Sequence, residues 1–326
     1  MAEGTLVEAV TLALRYEMAR DDCVVILGED VGVNGGVFRA TEGLQKQFGS
    51  NRVLDTPLAE GLIAGISIGM AAQGLKPVAE IQFMGFIFPA LEQIACHAAR
   101  LRNRTRGRLS CPLVIRAPFG GGIRAPEHHS ESTEALLAHL PGLRVVVPSS
   151  AYKAYGLLLA AIRDPDPVIF LEPKRIYRAQ RQRIPNDGQA LPLDTCFTLR
   201  EGTDLTLVSW GAMISECTQV ANDLATRGIS IELIDVATIK PLDMETIVTS
   251  VKKTGRCVIV HEAPRAGGVG ADIAAQVNEQ AFLELQAPVA RVTGFDTIMP
   301  YARKEDIYMP NTIDIQSQIE KTLNFS

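Results

Sequence analysis

Short, unbroken runs of β-branched and aliphatic residues recur along this chain, and stretches with helical spacing separate them. Val24-Val25-Ile26-Leu27, Val145-Val146-Val147 and Val168-Ile169-Phe170 are such runs, and residues 77–82 and 112–116 read as further short strands. An uninterrupted apolar run suits a strand covered on both faces, as the strands of a parallel sheet are. Between the runs, Leu6, Val10, Ala13, Leu14 and Met18 predict a helix over residues 5–20, and the pattern predicts others over 58–73, 86–102 and 152–163. Strands that alternate with helices need crossover connections, which are right-handed. An α/β fold with mostly parallel sheets follows.

The texture changes over residues 178–204. Arg178-Ala179-Gln180-Arg181-Gln182-Arg183 leads into Ile184-Pro185-Asn186-Asp187-Gly188, a polar stretch of turn residues that reads as a linker. The alternation then restarts, with strands over 205–209, 231–234, 257–260 and 289–292 and helices over 214–227, 244–253 and 272–282. A chain of 326 residues suits two domains, and the expected division is 1–190 and 191–326, each a three-layer α/β unit.

Composition narrows the function classes. The chain is 47% hydrophobic and 21% charged, ordinary globular usage that excludes a disordered, collagen-like or coiled-coil chain. Its 32 Lys+Arg against 37 Asp+Glu create no global field for nucleic acid or an anionic membrane, so neither is an expected partner. The 6 cysteines form no CxxC pair and read as buried reduced thiols. The N-terminus carries Glu3, Glu8 and Glu17 and lacks a basic region before an apolar core, so no signal peptide is read. The longest uncharged stretch, 61–75, is too short to span a bilayer. The expected location is the cytoplasm or a similar reducing compartment.

Ligands of open α/β sheets sit beyond the carboxyl ends of the strands. Glu29, Gln82 and the loop after residues 112–116 occupy such places. That loop, Ala117-Pro118-Phe119-Gly120-Gly121-Gly122-Ile123-Arg124-Ala125-Pro126-Glu127-His128-His129-Ser130-Glu131-Ser132, is richer in polar groups than a packing connector needs. Its histidines are either surface residues or groups poised to move protons. Zinc ligation by Glu127, His128, His129 and Glu131 is disfavoured, because adjacent side chains diverge and the spacing is not that of HExxH. Gly65-Ile66-Ser67-Ile68-Gly69 matches the serine-hydrolase string but lies inside a helical pattern with no preceding strand. Gly267-Gly268-Val269-Gly270 reads as a tight turn packing a helix. In Asp55-Thr56-Pro57-Leu58-Ala59-Glu60, Thr56 suits an N-cap, Pro57 the first turn and Glu60 a capping box. Glu60 equally suits a carboxylate sharing a proton with a ring nitrogen, and the residues alone leave both readings open.

Several motifs occur together and in order. They are Leu27-Gly28-Glu29-Asp30-Val31-Gly32, Gly35-Gly36-Val37-Phe38-Arg39, Asp55–Glu60, the glycine loop ending in His129-Ser130, Val168-Ile169-Phe170-Leu171-Glu172-Pro173-Lys174, His261-Glu262-Ala263-Pro264 and Arg291-Val292-Thr293-Gly294-Phe295-Asp296-Thr297. In this combination the chain resembles, over nearly its whole length, the beta subunits of thiamine-diphosphate-dependent 2-oxoacid dehydrogenases, whose members act on pyruvate or branched-chain 2-oxoacids. The resemblance implies a pyrimidine-binding domain followed by a transketolase C-terminal domain. It implies an oxidoreductase active only with an alpha subunit, in an alpha2-beta2 tetramer, with thiamine diphosphate between subunits and its Mg2+ on the alpha chain. The acyl group would pass to the lipoyl arm of an acyltransferase core.

By the same resemblance, Glu60 hydrogen-bonds the aminopyrimidine ring nitrogen and favours the tautomer that deprotonates the thiazolium carbon. His129 assists acyl transfer by supplying or orienting a proton. Glu29, Leu58, Gln82 and Phe86 line the pyrimidine pocket; Phe86 stands where the branched-chain form can carry tyrosine and lacks that hydroxyl. A potassium ion beside the glycine loop is also implied, held by the carbonyls of Cys111, Leu113, Val114, Ala161 and Asp164 with Asp166 nearby. Between substrates the reading leans to pyruvate, although Ile123-Arg124-Ala125-Pro126 and residues 291–297 have a branched-chain flavour. The alternatives are a branched-chain or acetoin dehydrogenase beta subunit and, from another class, a non-catalytic assembly subunit.

Overall fold

The computed structural model describes residues 2–325. A 7-stranded sheet runs in the order Thr238–Lys240, Arg144–Val146, Val168–Pro173, Val114–Phe119, Lys76–Glu80, Val24–Gly28, Val53–Asp55. All neighbours are parallel except the edge strand Thr238–Lys240, which pairs antiparallel with Arg144–Val146. A 5-stranded sheet follows, ordered Ala290–Gly294, Cys257–Pro264, Leu205–Ser209, Ile231–Asp235, Phe197–Arg200, parallel except at Phe197–Arg200. The central strands are buried along their whole length, so apolar residues dominate them, and the charged side chains they carry, such as Arg116 and Glu172, are buried as well.

Helices cover both faces. Leu6–Arg20 starts at a capping box in which Thr5 and Glu8 answer each other's backbone N–H groups. It packs on Ala151–Arg163, whose buried face includes Ala154, Leu157, Leu158 and Ile162. One apolar core runs from Leu27 and Ile63 through Trp210 to Ile259 and Ile273, so the two sheets share it. The sheets are further joined by the buried Lys153–Asp235 ion pair and by the loan of Thr238–Lys240 to the first sheet.

The structure corrects several sequence expectations. The helix expected over 86–102 is broken into the turns Met84–Phe86, Phe88–Ala90 and Ala98–Arg100 and the short helices Leu91–Cys96 and Leu101–Arg104. Pro89 has no amide proton to donate, and His97 sits at φ −121° and ψ −63°, outside helical geometry. The 178–204 stretch is more than a linker: Gln182–Ile184 pairs with Ala2–Gly4, and Phe197–Arg200 forms a sheet edge. Of the cysteines, Cys111, Cys196, Cys217 and Cys257 are buried, whereas Cys23 and Cys96 are exposed; none of the six is in a disulfide. No helix among the described residues is long and apolar enough to cross a membrane.

Candidate active site

Because the central strands of the first sheet are parallel, their carboxyl ends open onto one edge. Glu29 follows Val24–Gly28, Gln82 lies just past Lys76–Glu80, the glycine run follows Val114–Phe119, and Lys174 follows Val168–Pro173. The loop after Glu29 is fixed by Asp55, whose carboxylate accepts the amides of Gly32 at 2.6 Å and Val33 at 3.4 Å.

The helix bearing Glu60 runs Glu60–Ala72, with Ala59 at its cap and no side-chain capping bond. This overturns the expected Thr56 cap and the Glu60 capping box. The Thr56 hydroxyl donates instead to the Pro57 carbonyl at 3.1 Å, and Pro57 lies before the first turn. Glu60 therefore begins the helix without a capping task, where the amide ends favour a carboxylate. Glu29 faces it: burial, then the negative charges of Asp30 and Glu60, push the Glu29 carboxyl above its usual range. Two half-buried carboxylates thus share one corner of the site. Gln82 is half-buried as well, while Leu58 is 70% exposed. Leu62 and Ile66, four residues apart in this helix, are exposed on one of its faces, and Leu58 just before the helix is exposed as well.

His129 lies in the turn Glu127–Ser130. Its ring meets Phe83 edge-on at 4.4 Å and Phe86 at 5.1 Å, and Phe83 continues the aromatic chain to Phe38 at 5.4 Å. Burial, reinforced by Lys174 and His128, lowers the His129 pKa, so the ring is neutral at neutral pH. Its Nδ1 is buried with no hydrogen-bond partner among the described residues. His128 is exposed whereas the His129 ring is half-buried, and the Glu127 side chain lies outside the described part of the structure. Gly85 makes the approach of the two turns feasible, since a methyl group there would run into the His128 carbonyl. Gly85→Ala is expected to displace the His128–His129 backbone and cost about 1–3 kcal/mol, the usual price of overpacking. Urea unfolding of the full chain checks this, and an unchanged midpoint would mean that the turns part freely.

The glycine run holds no anion cradle, because its open sides are filled. Gly120 lies against the Glu262 carboxylate, Gly121 against Met299 and Met309, and Gly122 against the Arg175 stem. Glu305 accepts the Gly122 amide, so the second domain clasps this loop. Beneath the site, Arg116 donates to Glu172 at 2.6 and 2.9 Å and to Glu80 at 2.9 Å, all three side chains being buried. Burial opposes the guanidinium charge, but the two carboxylates outweigh it and hold Arg116 protonated.

The other candidates resolve by position. Ser67 is buried inside the Glu60–Ala72 helix and donates to the Ile63 carbonyl at 2.7 Å, which leaves no exposed nucleophile. Gly268 and Gly270 pack against the His261 ring at the start of helix Val269–Ala281, as a tight turn should. The His261 ring stacks on Trp210 at 5.2 Å. The residues implied for potassium do adjoin one another: the Cys111 amide donates to Pro165 at 3.0 Å, and Asp164 closes onto the Ala161 carbonyl at 3.3 Å. They lie at the amino end of Val114–Phe119, about 3.3 Å per residue away from the glycine loop along that strand. That corrects the expected position beside the loop. The carboxylates there are already engaged, Asp164 by Arg144 at 3.2 Å and Asp166 by Arg102 at 2.7 Å, so a cation would rely on the carbonyls.

Phe83 and Lys174 are site residues the sequence reading did not single out. A lysine directly after an apolar strand and a proline, in Val168–Lys174, was the available signal for Lys174.

A family model for the transketolase pyrimidine-binding domain matches residues 3–180, and one for the transketolase C-terminal domain matches residues 195–315. The chain is 47% identical over 325 residues to a Bacillus subtilis protein named pyruvate dehydrogenase E1 component subunit beta, with 100% of both chains covered. The chain belongs to the pyruvate dehydrogenase E1 beta-subunit family. Proteins of that name from Acholeplasma laidlawii and Staphylococcus epidermidis are 51% identical over 321 residues and 48% over 325, covering 98% and 100% of each chain. A solved structure titled split gene transketolase, inactive beta4 tetramer, superimposes with a TM-score of 0.81 at 23% identity, covering 99% of both chains, and shares the fold. The two matched domains coincide with the two largely parallel sheets of this chain, apart from the edge strand Thr238–Lys240 that the second lends to the first.

Proposed function

We propose that this chain is the beta subunit of a pyruvate-oxidising, acetyl-transferring component, assembled with an alpha subunit and working with thiamine diphosphate. The observation that carries the reading is Glu60, a half-buried carboxylate at a helix start that caps nothing and faces a second carboxylate, Glu29. The pyrimidine half of the cofactor fits such a corner: Glu60 for the ring nitrogen, Phe86 for a ring face, and Glu29, Leu58 and Gln82 as lining. The filled glycine run leaves the diphosphate and its Mg2+ to the alpha subunit. The exposed Leu58, Leu62 and Ile66, before and within the helix that Glu60 begins, give that subunit an apolar surface to cover.

When bound, thiamine diphosphate supplies the carbon nucleophile and the electron sink for decarboxylation. Glu60 holds and moves a proton at the pyrimidine nitrogen. The Phe83–Phe86–His129 wall excludes water from one side. His129, neutral and edge-on to both rings, offers a ring nitrogen to the acyl acceptor, a lipoyl arm of the acyltransferase core. The carbonyls of Cys111, Leu113, Val114, Ala161 and Asp164 would hold potassium, a cation suited to neutral oxygen donors, with Asp166 nearby. The domain division near residue 190 separates the cofactor-binding part from the part that clasps the loop.

The test is co-expression with an alpha subunit and ferricyanide reduction with thiamine diphosphate, comparing pyruvate with 3-methyl-2-oxobutanoate. A higher kcat/KM on pyruvate is expected. Preference for the branched substrate would move the chain to the branched-chain component, and a well-formed tetramer inactive on both would favour an assembly role.

A further inference from the structure

We propose that Lys174 is a positioning residue for His129, its ammonium seated over Phe83 between the imidazole and carboxylates of the loop and the second domain. The consequence for acyl transfer rests on the reading of His129 given above; the linkage itself does not.

Lys174 opens the turn Lys174–Ile176 at the end of Val168–Pro173 and is 4% exposed. Its Nζ lies 5.6 Å from the centroid of Phe83, the ring that meets His129 at 4.4 Å. Three carboxylates face it: Glu131 from the loop, Glu262 from Cys257–Pro264 and Glu305 from the helix Glu305–Tyr308. Even so, Nζ is buried with no hydrogen-bond partner among the described residues, and so is Nδ1 of His129. A lysine serving only to hold structure is expected to bond one of these carboxylates directly, because a buried unpartnered ammonium is costly. This one is left beside the aromatic wall instead.

The charges agree with that placement. Burial pulls Lys174 down to about 8 against the pull of Glu262, Glu305 and Glu131, so the ammonium persists at neutral pH. The groups facing His129 are Lys174 and His128, and both add to burial in disfavouring the imidazolium. Lys174 thereby keeps the imidazole neutral, while the second domain's Glu262 and Glu305 stabilise the lysine charge. The second domain is in this way coupled to a histidine of the first.

Histidine-labelled full-length chain allows a direct test, since it holds only 5 histidines. The ring-carbon NMR signal of His129, assigned with His129→Asn, is followed against pH. Its main inflection is expected below the ordinary imidazole range, with a second, smaller inflection at about 8 where Lys174 loses its proton. Lys174→Arg should erase the second inflection and leave the main one in place, whereas Lys174→Met should move the main one upward. A wild-type curve with no second inflection overturns the proposal, even if Lys174→Met fails to fold. So does an unmoved main inflection in a folded Lys174→Met chain. If His129→Ala keeps full lipoyl transfer while the two inflections stand, the role given to His129 falls and the linkage survives.

Discussion

Glu60→Gln, introduced into the assembled component, is expected to lower turnover by about 10²–10⁴-fold, the range lost when a positioned proton-transfer group is removed. The exchange is nearly isosteric, so it tests the carboxylate and not the shape of the corner. Stability should hardly move, because the helix Glu60–Ala72 draws no capping bond from this side chain. The lost attraction to the amide ends is worth about 0.3–1 kcal/mol. Relief of the repulsion between Glu60 and Glu29 works in the opposite direction. Ferricyanide reduction gives the turnover, and a urea unfolding curve shows that the fold is intact. Turnover within a factor of about three of the wild type would remove Glu60 from the chemistry and leave the chain as an assembly subunit.

The expected loss also separates Glu60 from Glu29. Glu29 is lifted by burial first and by Glu60 second, so removing the Glu60 charge lets Glu29 ionise more readily. It cannot replace Glu60, because it follows a strand and approaches the corner from a different element.

How far the sequence revealed these features depended on whether a feature was local. The strands Val24–Gly28, Val168–Pro173 and Leu205–Ser209 were legible because burial on both faces fills them mainly with apolar side chains, the buried Glu172, Thr206 and Ser209 being the polar exceptions. Phe197–Arg200 was not, since it is an edge strand with two exposed residues and its pairing is fixed by Ile231–Asp235. The break at His97 was hidden because apolar spacing continues through it. Thr56 misled for a related reason: its sequence context suits a cap, but the helix begins only at Glu60, four residues on, with Ala59 at the cap position.

The same contrast holds in the site. Glu29, Gln82 and the loop histidines could be located from strand ends alone, which a parallel sheet brings to one edge. Lys174 could not, because lysines are almost always exposed. What buries it is the wall of Phe83 together with Glu262 and Glu305 from the other domain. The position of the 111–114 and 161–166 carbonyls was misjudged because strand direction, not chain proximity, decides which end of Val114–Phe119 meets the loop.

Arg116→Met should produce the largest loss of stability in the chain, about 3–5 kcal/mol, the cost of breaking a buried ion pair from one side. Arg116 is 1% exposed and is the shared partner of Glu80 and Glu172, which are equally buried. Tyr177 also donates to Glu172, but a phenol cannot neutralise two carboxylates. With the guanidinium gone, both must either stay charged without a partner or take up protons. The penalty comes from the stranded charges and not from a missing contact, so it should be partly reversible. Adding Glu172→Gln to Arg116→Met is expected to recover stability, a negative coupling that a double-mutant cycle in urea measures. The site should sense the change as well: Tyr177 packs on Phe38 at 5.1 Å, Phe38 on Phe83, and Phe83 on His129. A single Arg116→Met cost below about 1 kcal/mol would place these carboxylates in contact with water and end the argument.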